Sequence, residues 1–161
     1  MKKLLFGLGL FGLFSCGGAK NESEQVDSVN VDVATAVTDS SATENLCFLM
    51  TEGDKNQDST KVSLSINGAD VSGSMDWIPD QKDGAYGTII ATKDGDIIRG
   101  IYAYSIEGSE QTEEVEFKLE GGKLWKKSGE MVEKIPNSGE LVFKDASKAE
   151  FKYELKPVEC K

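Results

Sequence analysis

Histidine is absent from this 161-residue chain, and proline is nearly so, with three. Without histidine there is no Ser-His-Asp or Cys-His arrangement and no imidazole to ligate zinc, which removes several large enzyme classes. Basic charge is also scarce: 18 Lys and Arg stand against 28 Asp and Glu, a formal charge of −10. That balance works against nucleic acid, and against anionic lipid, as partners of the folded part. Nor does any apolar run approach the roughly 20 residues that a membrane-crossing helix needs. The longest extends only from Leu4 to Phe14.

What is present at the N-terminus has a different use. Lys2 and Lys3 precede the apolar run and Ser15-Cys16 close it, the layout of an export signal. Leu13-Phe14-Ser15-Cys16-Gly17 resembles a bacterial lipobox. The resemblance implies that residues 1–15 are a signal peptide, that Cys16 becomes the first mature residue, and that acyl chains on it make the membrane a partner. Two or three acyl chains anchor stably where one does so marginally. The alternative is an ordinary signal peptide with an incidental cysteine. Phe14, bulkier than the residue most common there, is similar to the variant in Bacteroidota lipoproteins. Gly17-Gly18 lacks the aspartate of an inner-membrane retention signal, so the resemblance implies the outer membrane. Lys20-Asn21-Glu22-Ser23-Glu24 is similar to signals that send some lipoproteins of that phylum to the cell surface, so the leaflet stays open.

From residue 16 to 45 the composition turns to Ser, Thr, Asn, Asp, Ala, Val and Glu, with no aromatic residue. Such a segment cannot bury a core and is expected to be a disordered tether. Residues 46–161 carry every tyrosine and both tryptophans, in strand-like alternation. Val62, Leu64 and Ile66 lead to Asn67-Gly68, a hairpin signal, and then Val71, Gly73, Met75 and Trp77 share a face. A second hairpin turns at Asp94-Gly95 into Ile98, Gly100, Tyr102 and Tyr104. Further strands carry Val115, Phe117 and Leu119; Leu124-Trp125; Leu141 and Phe143; and Phe151, Tyr153 and Leu155. Short Gly-containing turns between about eight strands predict an all-β, antiparallel up-and-down barrel of calycin or lipocalin type, with an open sheet or sandwich as the alternative. Gly73 and Gly100, on the face that carries Met75 and Tyr102, suit the crowding that closure imposes.

Cys47 and Cys160 stand at the start of the first strand and the end of the last, in a compartment that permits oxidation. They are the expected disulfide, locking the closing seam; two free thiols are the alternative.

Constellations with chemistry are few. Asp54-Lys55-Asn56-Gln57-Asp58 imitates the opening of a calcium loop, but Ser59 and Ser65 stand where glycine and a bidentate glutamate are required, which favours a polar hairpin loop. Asp76, Asp80, Asp83, Asp94 and Asp96 lie by turns or on polar strand positions and read as a solvated rim rather than an acid-base pair. Trp125 beside Lys126 and Lys127 suits a stacked sugar or a partner, but a strand tryptophan more often packs in the core. Glu110, Glu113, Glu114 and Glu116 form an acidic run that suits a cationic partner or a solvated face. Met75, Trp77, Tyr102 and Tyr104, on inward positions, form a lumen able to hold one small apolar ligand.

The opening Cys47-Phe48, the Ile66-Asn67-Gly68 hairpin, Gly87-Thr88-Ile89 before Asp94-Gly95-Asp96, Glu114-Val115-Glu116-Phe117 and the terminal Val158-Glu159-Cys160 resemble a group of small Bacteroidota lipoproteins. The resemblance covers roughly residues 46–161 and implies a lipocalin-like barrel but no activity. Lipid-anchored inhibitors of C-type lysozyme are also similar, as small disulfide-bonded barrels on an acyl tether. Their Ser-Gly-x-x-Tyr loop has its nearest counterpart in Asp83-Gly84-Ala85-Tyr86, which lacks the serine and has its tyrosine one residue early. The expectation is therefore a monomeric, non-enzymatic binding module for a small apolar ligand, without cofactor or metal. The alternative is an acidic inhibitor or adaptor for a basic protein.

Overall fold

The computed structural model describes residues 42–161. The expected signal peptide, Cys16 and the tether as far as residue 41 lie outside the described residues. Ten strands and no helix form there: β1 Glu44–Glu52, β2 Asp58–Asn67, β3 Asp70–Ile78, β4 Ala85–Asp94, β5 Ile97–Ile106, β6 Ser109–Glu120, β7 Lys123–Ser128, β8 Met131–Glu133, β9 Glu140–Phe143 and β10 Glu150–Val158.

β1 to β7 pair antiparallel, each with the next, and β10 pairs with both β7 and β1. Eight strands thus close an up-and-down ring, as the alternation predicts. β8 and β9 stand outside it as a small hairpin, with β9 lying parallel to β6 through Thr112 opposite Glu140 and Glu113 opposite Leu141.

The turns explain the short connections. Glu107-Gly108 and Gly121-Gly122 hold positive φ at both central positions, and Gly68-Ala69 and Gly95-Asp96 only at the first, matching the two hairpin turns that follow strand twist. The β2–β3 turn lies one residue later than Asn67-Gly68 predicts: Asn67 ends β2 opposite Asp70. This register places the required glycine first in the turn and sets bulky Leu64 opposite Gly73.

Period-two alternation sends one face of each ring strand inward. Phe117, Ile98, Leu124 and Leu155 are fully buried, and Ile89 and Val62 nearly so, filling the middle of the barrel. Leu124 rather than Trp125 takes the core position on β7, which decides the face that strand alternation leaves open and goes against the commoner core placement of a strand tryptophan. Leu124 faces Leu119 and Leu155, both on inward positions, so register decides the matter; Trp125 lies half-buried on the outer face opposite Lys118 and Glu154.

Cys47 and Cys160 form a disulfide with their Cα atoms 5.2 Å apart. It crosses the β1–β10 seam, where only three residue pairs meet.

Candidate functional site

At one end the ring opens among the β1–β2 loop, the β3–β4 loop and the β5–β6 turn. Inward positions of all eight ring strands converge there on a pocket of about 330 Å³, from Met50 and Glu52 on β1 round to Tyr153 and Leu155 on β10. The four expected ligand contacts, Met75, Trp77, Tyr102 and Tyr104, all line it. Met75 and Tyr102 are buried, Tyr104 is 9% exposed, and Trp77, one pleat nearer the end of β3, is 38% exposed at the rim. The deeper lumen is packed with side chains, so the pocket belongs to the mouth.

Hydrogen bonds hold its floor. Tyr102 donates its phenol to the Met75 carbonyl at 2.7 Å, and Tyr104 donates to Gln111 Oε1 at 2.9 Å. The two rings stack with centroids 4.6 Å apart and 12° between planes. Burial first, and the Glu113 carboxylate second, push both phenols above the ordinary tyrosine range, so both are neutral donors at pH 7.

The wall holds charges that alternation of apolar residues does not reveal. Lys126 Nζ donates to Glu113 Oε1 at 3.2 Å, with both side chains largely covered. Glu113 lies two residues before inward Val115, and Lys126 two after inward Leu124; that parity is the signal that places them. Thr60, 7% exposed, also lines the pocket.

The acidic run of β6 departs from its sequence reading. Only Glu110 is exposed. Glu114 accepts from the Phe143 backbone N–H at 3.1 Å, tying the β8–β9 hairpin to the ring, and Glu116 pairs with Lys127 at 3.1 Å and Arg99 at 3.4 Å. These carboxylates are structural tethers, because β6 leaves β7 after Lys126 and the gap is closed by side chains.

Asp54 to Gln57 lie in the β1–β2 hairpin loop as expected, while Asp58 opens β2 and its Oδ1 accepts from the Asp80 N–H at 2.6 Å, joining the strand to the β3–β4 loop. Asp80 and Asp83 are exposed at this rim, while Asp94 and Asp96 lie exposed at the opposite end. Among the described residues no group of three or more Cys, Asp or Glu side chains is placed to hold a metal ion.

Comparison of the chain with family models, curated proteins and solved structures finds no match. The geometry of the mouth therefore carries the functional reading.

Proposed function

We propose that this protein is a lipid-anchored, non-enzymatic binding module of the cell envelope, held at the outer membrane by acyl chains on Cys16, and that it takes a small apolar ligand at the barrel mouth. The observation that supports the ligand is the convergence of Met75, Trp77, Tyr102 and Tyr104 on one pocket of about 330 Å³. That volume lies at the small end of the range for ligand sites, and apolar walls with a few fixed polar groups are their usual lining. Anchoring rests on Leu13 to Gly17 and is tested separately. Cys16→Ala should abolish radiolabelled palmitate incorporation and release the chain from membranes; labelling that survives refutes it.

For the pocket, a neutral probe such as N-phenylnaphthylamine should brighten on binding. Ala85→Leu, which fills the mouth opposite Trp77, should weaken binding roughly tenfold, or about 1.4 kcal/mol. Equal binding by the variant places the probe elsewhere and overturns the assignment.

A second reading, docking of a basic protein such as a lysozyme, draws support from the exposed carboxylates of the rim loops and from Tyr86, 53% exposed beside them. Salt-sensitive co-elution with lysozyme, lost in Tyr86→Ala, is its expected sign.

A further inference from the structure

We propose that the ligand of the mouth pocket is a small organic cation, an ammonium head on an apolar body. The inference rests on the reading of the mouth as a ligand site and adds the sign of the charge. Three charged side chains line the pocket, Glu52, Glu113 and Lys126. Lys126 is engaged by Glu113, whereas Glu52 has no ion-pair partner among the described residues. The walls are therefore one negative charge in excess.

The surroundings have the same sign. The rim segments 53–58, 79–84 and 107–110 hold six further carboxylates and two lysines, and none of these side chains joins an ion pair among the described residues. On the remaining side, Lys144 and Lys148 are paired with Glu130 and Asp145 and add no net charge. A concave site rimmed by one sign of charge concentrates ligands of the other.

The lining suits an ammonium group in two further ways. Trp77, Tyr102, Tyr104 and Tyr153 supply aromatic rings, and a cation over a ring face gains roughly 0.5–2 kcal/mol as it loses water. Thr60 is the one buried polar residue among the described residues and lines the pocket, and a hydroxyl there is able to accept from an N–H. Burial first and the Glu113 carboxylate second raise the Tyr102 and Tyr104 phenols, so the second cause has the sign of a negative charge beside the pocket floor.

The test uses three eight-carbon probes that differ only in the head: octylammonium, octanol and octyl sulfate. Binding to the chain from Gly17 to Lys161 is read by Trp77 fluorescence in a Trp125→Phe background. Octylammonium should bind about tenfold more tightly than octanol, with octyl sulfate weakest, and added salt should erode the difference. Glu113→Gln should reduce the preference to what the rim carboxylates supply, because Lys126 then balances Glu52 in the walls, and Lys126→Met should widen it. Thermal unfolding of both variants establishes that the barrel persists. If octanol or octyl sulfate binds as tightly as octylammonium, the cation is overturned while the mouth stands as a ligand site. If none of the three binds, both fall.

Discussion

Replacing Gly100 or Gly87 with alanine is expected to prevent the barrel from forming. Both glycines take inward positions, Gly100 on β5 opposite Ala91 and Gly87 on β4 opposite Tyr104. A Cβ on Gly100 runs into the Ile90 carbonyl oxygen and the Ala91 Cα at 2.5 Å; one on Gly87 meets the Ala103 carbonyl oxygen and the Tyr104 Cα at 2.6 Å. These obstacles are backbone of the neighbouring strand, which cannot move aside without breaking the ladder. Glycine here lets the strands coil into closure. We expect losses above roughly 4 kcal/mol, in the exceptional range for a point change. Gly95→Ala is the control: its Cβ meets open space, and only the left-handed φ of +57° costs, about 1–2 kcal/mol. Circular dichroism and thermal unfolding compare the three. Near-native stability of Gly100→Ala would show that the strands are not locked this closely.

Removing the disulfide by Cys47→Ser with Cys160→Ser is expected to cost about 3–4 kcal/mol. Two observations set that size. The bridge spans 113 positions of sequence, a long loop whose closure in the unfolded chain is entropically costly. It also staples the weakest join of the ring: three residue pairs, one of them through Pro157, which has no N–H to give the ladder. Thermal unfolding of the double variant should fall by roughly 10–15 °C. A shift of a degree or two would mean that the seam holds through packing alone.

Much of this was legible in the residues, for physical reasons that also explain what was not. Alternation is a strong signal wherever one face is buried, so β2 to β6 and the inward set of Met75, Trp77, Tyr102 and Tyr104 follow from spacing alone. Cys47 and Cys160 pair because a meander brings its first and last strands together. The signal weakens at Leu124-Trp125, where two adjacent apolar residues leave parity undecided until the partners Leu119 and Leu155 are known. It fails for β8, whose residues are mostly half-buried and show no clean period, and for β9 it gives the strand of Leu141 and Phe143 but not its place outside the ring. It also misses Glu52, Glu113 and Lys126, because a barrel's inward face ends in solvent at the mouth, where charge costs little. An apolar count classes those side chains as surface, although they line the site. Gly87 was overlooked beside Gly73 and Gly100 for a similar reason: only three-dimensional proximity shows which glycines a neighbouring backbone crowds.

The central claim is that the mouth of this barrel holds a small molecule, and native mass spectrometry of the protein purified from its own cells without reductant tests it most directly. The account predicts a chain mass short by two protons, for the Cys47–Cys160 bridge, together with one small organic adduct that Ala85→Leu removes. A mass lowered by two protons with no adduct, from wild type and variant alike, would contradict it.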